Sequence, residues 1–260
     1  MIDIHNHILP GLDDGAESWD DALEMAEMAV ESGVQVIAAT SHANLPEALY
    51  AGVNGTERRE EAERYLMQLE TFRGFLKQEK IPLKVCRGME IFGPDQAAER
   101  LKRKELLTLN GTRYCLVEFA LDTEAHPVYR TILELRAVGC IPVVAHPERY
   151  LCVQRVPAHV YEWYRMGAAI QVNKGSVTGR FGSRAERTAD SLLRHRLVTA
   201  VASDAHSPYR RTPRMDEMKE ILAARYGDHC PRLLLEENPA RILLGKKVLW
   251  EKPVGYDYFS

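Results

Sequence analysis

At 260 residues, with 45% hydrophobic and 27% charged side chains, the chain has ordinary globular composition and is long enough to bury a large core. A formal net charge of −3 leaves no electrostatic footprint for nucleic acid, and no apolar run approaches the roughly 18 residues of a membrane span. The first residues carry neither a basic n-region nor an apolar h-region, so a soluble, cytoplasmic protein without membrane insertion is expected. In chain order, a short apolar stretch carrying Asp3 (residues 1–4) runs into His5-Asn6-His7, with Asp13-Asp14 close behind. Ser18 opens a helix to about Ser32, stopped by Gly33. Val34 to Thr40 is a buried strand ending at Ser41-His42, followed by a loop with Gly52, Asn54 and Gly55. A long charged helix from Thr56 to about Lys80 presents a solvated face.

Leu83 to Arg87 is the third strand, leading into Gly88-Met89-Glu90, and Pro94 opens a short helix. After the Asn110-Gly111 turn, Tyr114 to Phe119 is the fourth strand and carries Glu118. A helix over 127–138 leads to the fifth strand, Ile141 to Ala145, which delivers His146-Pro-Glu-Arg149. A helix over 157–166 leads to the sixth strand, Ala168 to Val172. A helix over about 183–196 precedes the seventh, Val198 to Ala202, which ends in Ser203-Asp-Ala-His206. The remainder reads as mainly helical, with a Tyr-rich tail (about 246–260) that the pattern leaves unassigned. Seven βα-type repeats with short connections predict an α/β fold in one domain over 1–260: a parallel sheet closed into a TIM-like barrel, or an open doubly wound sheet. There is no Gly-rich dinucleotide fingerprint and no Walker-type loop.

The chemistry gathers at strand ends. In an extended segment residues i and i+2 share a side, so His5 and His7 can converge on one centre. The HxH pair alone is weak, since such pairs are also ordinary polar loop residues. In a parallel barrel the carboxyl ends of all strands meet in one mouth. Reading those ends gives His5, His7, His42, Glu90, Glu118, His146, Asp204 and His206, with Asp14 from the first loop. That is five of nine histidines; His126, His159, His195 and His229 fall on helices or loops and read as solvated. Nine nitrogen and oxygen donors exceed what one ion takes and suit two or three, bridged by a carboxylate. The absence of Cys points away from structural zinc and toward Mn²⁺, Fe or Zn²⁺ at a hydrolytic site. The five cysteines, odd in number and without CxxC, read as buried thiols, and none heads the Arg-closed loop of a Cys-nucleophile phosphatase. Arg149 and the pair Arg210-Arg211 add guanidinium forks that match phosphate oxygens, although either could be a solvated loop residue. Metal-assisted phosphoester hydrolysis follows as the expectation.

The segments HNHILPGLDDG, ATSH, GMEI, LVEFA, PVVAHPERY, QVNKGSVTGRFG and VASDAH resemble, in order, the motifs of the PHP (polymerase and histidinol phosphatase) superfamily. More narrowly they look like the manganese-dependent protein tyrosine phosphatases of bacterial capsule and exopolysaccharide loci, the CpsB/YwqE type, over residues 1–245. The resemblance implies a distorted (β/α)7 barrel, the PHP fold, with a trinuclear site at the strand carboxyl ends. By similarity, His5, His7, Glu90 and Asp204 hold one ion. Glu90 bridges to a second ion, also held by Glu118 and His146, and Asp14, His42 and His206 hold the third. Arg149 and Arg211 match the phosphate-contacting positions. Ser41 and Ala43-Asn44 depart from the usual pattern near the mouth, which bears on substrate preference. The implied activity is hydrolysis of phosphotyrosine by metal-activated hydroxide, without a phospho-enzyme. The implied substrate is the tail of a bacterial tyrosine kinase governing polysaccharide export; an oligomer is allowed. Asp13 is a candidate acid for the leaving group. The rivals are a PHP phosphatase of a small ester such as histidinol phosphate and a non-catalytic metal-binding PHP scaffold. An amidohydrolase lacks its metal-bridging Lys here, Lys174 being the sole candidate.

Overall fold

The computed structural model describes residues 1–44, 57–94 and 96–255. The expected loop around Gly52, Asn54 and Gly55, the helix start at Thr56 and the last five residues of the tail lie outside the described residues. The strands are β1 (Ile2–Asn6), β2 (Val36–Ala39), β3 (His42–Ala43), β4 (Lys84–Arg87), β5 (Glu90–Phe92), β6 (Tyr114–Glu118), β7 (Ile141–Ala145), β8 (Ala169–Asn173) and β9 (Ala200–Ala202). The helices that connect them are α1 (Trp19–Glu31), α2 (Glu57–Gln78), α3 (Ala97–Lys102), α4 (Ala125–Ala137), α5 (Leu151–Arg155), α6 (Ala158–Arg165), α7 (Lys174–Val177) and α8 (Ser183–Arg194). After β9 come α9 (Asp216–Tyr226) and a helical run over 230–243 that contains a π turn.

Every strand pair is parallel, in the orders β1-β2-β4 and β3-β5-β6-β7-β8-β9. Sequence reading expects one strand where β2 and β3 stand, and one ending at Arg87 where β4 and β5 follow each other. The cause of both breaks is Tyr65 of α2. Its buried hydroxyl donates to Ala39 O at 2.7 Å and accepts from Gly88 N–H at 3.0 Å, replacing the ladder bond between the two strands. Counting each broken pair once, the described residues cross the sheet seven times. The ring closes between β9 and β1, where Asn6 bridges Ala205, His7 N–H donates to Ala205 O at 2.8 Å, and Asp204 N–H donates to His5 O at 2.9 Å. This is a distorted (β/α)7 barrel.

Seven strands enclose less room than the eight that just fill with ordinary side chains. The interior accordingly carries Ala38, Ala145, Ala169, Ala200 and Ala202 beside Ile4, Leu116 and Val143. Between strands and helices lies a second apolar layer that includes Met25, Leu69, Phe72, Ile132, Trp163 and Leu192. The amino-terminal end of the barrel is closed by part of the tail that the sequence pattern leaves unassigned. Tyr114 Oη donates to Lys246 O at 2.9 Å and accepts from Val248 N–H at 3.2 Å, Val248 is buried, and Trp250 packs edge-on against Tyr164. The opposite end is left for chemistry.

Candidate metal centre

At the end of β1 the i, i+2 rule holds, and the Nε2 atoms of His5 and His7 stand 3.1 Å apart. Gln171 Oε1, an acceptor only, lies 2.9 Å from His5 Nδ1, and Asp13 Oδ2 lies 2.7 Å from His7 Nδ1. Both Nδ1 atoms therefore carry hydrogen, which turns both Nε2 lone pairs inward. Glu90 Oε2 is 3.1 Å from His5 Nε2, from His7 Nε2 and from His42 Nδ1. It has hydrogen-bonding geometry toward none of them. The buried His42 Nδ1 is likewise unsatisfied, although Glu118 Oε1 is only 2.6 Å away. Donor atoms thus aim at shared points rather than at one another. Two ligands each about 2.1 Å from one ion lie about 3.0–3.4 Å apart at octahedral or tetrahedral angles, which is the spacing found here. The residues fit metal ions.

Among the described residues, three clusters have donor atoms within 4.8 Å of one another: His5, His7, Glu90 and Asp204; His7, Asp14, His42 and His206; and His42, Glu90 and Glu118. All nine residues expected from the strand ends converge on one mouth. The grouping differs from the expectation in two respects. His7 also joins Asp14, His42 and His206. His42 rather than His146 stands against Glu118, while His146 Nε2 meets the other oxygen of Glu90 at 2.9 Å. His42 reaches this place because β3 pairs it directly with Glu90.

Electrostatics follow from packing carboxylates and imidazoles together away from water. Burial depresses the pKa of His5, but Glu90 and Asp204 more than reverse this and raise it. Burial likewise opposes protonation of His7, yet Asp13 lifts its pKa to about 9. His42 is raised well above its usual value by Glu90 and Glu118 against burial. Burial favours a neutral Glu90, but His5 and His42 hold its pKa well below the carboxylate range. His206 is the exception, pushed down by burial and by His7. Without metal, protons on imidazoles balance the carboxylates; a divalent cation balances them with no proton required.

Asp204 divides its two oxygens. Oδ1 lies 3.3 Å from His5 Nε2 and 3.6 Å from His7 Nε2, whereas Oδ2 takes the Arg211 guanidinium, Arg149 Nη1 at 3.6 Å and an Asn173 amide donor. Of the ambiguous pair, Arg211 therefore faces the site; Arg210 is exposed and, among the described residues, bonds Ser207 through its backbone only. Phe181 lies under both forks, its centroid 4.6 Å from Arg149 Cζ and 5.6 Å from Arg211 Cζ. Gly175 makes room for that ring, since a Cβ there would stand 2.7 Å from Phe181 Cε2. His146 (φ 34°) and Asp204 (φ 51°) both adopt left-handed backbone, uncommon for non-glycine residues and concentrated at functional sites.

Sequence reading misses the groups behind the donors. Asp13 is no free acid: its oxygens accept from His7 Nδ1, His42 N–H and Gly15 N–H. Gln171 and Asn173 form a relay from His5 to Asp204. They occupy i and i+2 at the end of β8, so the alternation that exposes His5 and His7 is the available signal. The buried Glu148 accepts from Asn173 N–H at 3.0 Å and Ser176 Oγ at 2.6 Å, pinning the turn that carries His146 and Arg149 to β8. Lys174, the amidohydrolase candidate, donates to the carbonyls of Thr212 and Arg214 instead. Of the four other histidines, His126 and His229 are exposed, and His159 is half-buried and stacked on Trp163.

Residues 1–244 match the family model described as capsular polysaccharide synthesis, CpsB/CapC. The chain is 35% identical over 253 residues to the tyrosine-protein phosphatase YwqE of Bacillus subtilis, covering 97% of this chain and 95% of the relative. It is 31% identical over 253 residues to the tyrosine-protein phosphatase CpsB of Streptococcus pneumoniae, covering 95% of this chain and all of the relative. A solved structure from work on YwqE and CpsB, described as unique metal-dependent tyrosine phosphatases, superposes with a TM-score of 0.84 at 34% identity, over 98% of this chain and 99% of that one. The chain belongs to the CpsB/CapC family of capsular polysaccharide synthesis.

Proposed function

We propose that this chain is a metal-dependent phosphatase acting on phosphotyrosine in proteins, and that its substrate is a tyrosine kinase controlling capsular or exopolysaccharide synthesis in the cytoplasm. The support is the family, whose relatives are named tyrosine-protein phosphatases, together with a mouth built for metal and phosphate. The observation that carries the reading is Glu90 Oε2, equidistant from three imidazole nitrogens and hydrogen-bonded to none. His5, His7, Asp14, His42, Glu90, Glu118, His146, Asp204 and His206 are the proposed ligands of two or three Mn²⁺ ions, with the whole chain acting as one domain. Bound metal supplies Lewis acidity and a nucleophilic hydroxide at neutral pH.

The chain's own residues do the rest. Arg149 and Arg211, held at one edge of the cluster by Asp204 Oδ2 and Phe181, bind the phosphate oxygens and offset the charge that grows in the transition state. Gln171 and Asp13 accept from Nδ1–H and so hold their histidines in the tautomer whose Nε2 lone pair faces the cluster. Asp13 is too fully bonded to protonate the leaving group, and a phenolate needs little help to depart.

Hydrolysis of a phosphotyrosine peptide and of histidinol phosphate, with Mn²⁺ and with EDTA, tests this for the wild type and His146→Ala. Mn²⁺-dependent release from the peptide, abolished by EDTA and reduced at least about 100-fold in the variant, is the expected result. Preference for histidinol phosphate would move the protein to metabolism, and no turnover of either with metal bound would overturn the phosphatase assignment.

A further inference from the structure

Beside Arg211 a cavity of about 140 Å³ opens, lined by Lys174, Arg180, Phe181, Ser203, Arg210 and Arg211 among others. Arg211, which lines it, also pairs with Asp204 Oδ2, so the cavity adjoins the donor cluster. Among the described residues no carboxylate lines it, although the chain as a whole carries net charge −3. Two of its cations are already engaged: Lys174 by the carbonyls of Thr212 and Arg214, and Arg211 by Asp204. Arg180 and Arg210 make no ion pair with any described residue. Gly182, next to Phe181, caps α8 with no side-chain acceptor, and Glu186 in the first turn of that helix partly offsets its positive end. A space of this size holds about four or five waters at roughly 30 Å³ each, enough for a carboxylate or phosphate group on a short stem.

We infer that this cavity is a second anion subsite, which receives a carboxylate or phosphate carried by the substrate peptide beside its phosphotyrosine. The inference rests on the phosphotyrosine reading above and adds a preference to it. With the target phosphate on Arg149 and Arg211, an adjacent acidic group finds Arg180 and Arg210 unpaired, and their attraction is exchanged for no existing internal ion pair. Solvated loop arginines without a ligand are the competing account, and they make no prediction of sequence preference.

Three phosphotyrosine peptides that differ only at the neighbouring residue (alanine, glutamate or phosphoserine) separate the two accounts on the Mn²⁺-loaded enzyme. The wild type should show kcat/KM about three- to tenfold higher for an acidic peptide than for the alanine peptide, mainly through KM. Raising the salt concentration should shrink that ratio. In the pair Arg180→Ala with Arg210→Ala the ratio should fall to near one, while Arg180→Lys with Arg210→Lys should retain part of it. A preference for glutamate alone or phosphoserine alone would identify which group the subsite reads. Turnover of the alanine peptide with no acidic preference, or a preference undiminished in the alanine pair, would overturn the inference and leave the phosphotyrosine reading intact. Failure of all three peptides while a small ester is hydrolysed would instead overturn both.

Discussion

Asp13 shows how much a single carboxylate can settle. One of its oxygens accepts both from the His7 ring and from the His42 backbone, so it orients two of the nine donor residues at once. Asparagine cannot repeat all three contacts: its carbonyl oxygen can still accept from His7 and His42, but it carries no charge and its amide NH2 then faces the Gly15 N–H donor. Asp13→Asn should therefore lower Mn²⁺ affinity about 10- to 100-fold, with most of kcat restored at saturating metal. Activity measured against free Mn²⁺ checks it, and a wild-type curve would show that the histidines hold their tautomers without help. The αL backbones of His146 and Asp204 belong to the same scale, each costing roughly 1–2 kcal/mol that the surrounding bonds must hold.

Among the elements, the loop between β1 and α1 has two glycine or capping positions that fail differently. Gly15 packs under His7, and a Cβ there would stand 2.1 Å from His7 O and 2.7 Å from His7 Cβ. Gly15→Ala must displace the loop that carries Asp13 and Asp14. Ser18, by contrast, only caps α1, accepting from Asp21 N–H at 3.1 Å on the exposed surface. Ser18→Ala should cost about 1 kcal/mol with unchanged kinetics. Gly15→Ala should cost about 1–3 kcal/mol and also lower bound Mn²⁺. Urea titration beside metal analysis distinguishes them; equal metal content in the two variants would contradict the role given to Gly15.

For the whole molecule, the two barrel ends divide labour. A chain ending at Gly245 loses the buried Val248 and both backbone partners of the Tyr114 hydroxyl. It should lose about 2–4 kcal/mol of stability in urea while keeping kcat, because the metal mouth lies at the opposite end. A collapse of kcat in the folded truncated chain would refute that separation. Stability should also depend on pH through the histidines. Without metal, a His7 pKa raised from 6.5 to about 9 adds stability that is full below pH 6.5 and lost as pH rises toward 9. Mn²⁺ competes with those same protons, so the increase in Tm on adding Mn²⁺ should grow over that range. An increment independent of pH would mean that the imidazoles are already unprotonated in the metal-free protein.

Strand-to-helix alternation, the nine donor residues and the family motifs are local properties, because period-2 alternation, a Gly33 stop and residues at strand ends require only neighbouring residues to be known. From these the sequence by itself determined the barrel class and which imidazoles and carboxylates gather at one mouth. It could not show that β2 and β4 are broken, since the cause is one hydroxyl on α2 reaching both strands. Nor could it place His42 against Glu118, show that Arg211 pairs with Asp204 while Arg210 turns outward, or find the Gln171–Asn173 relay. These are contacts between residues far apart in the chain, as when Asp3 accepts from Ser203 across 200 positions to help close the barrel. Only the closed ring brings such groups within hydrogen-bonding distance, and burial then decides which of them carry protons.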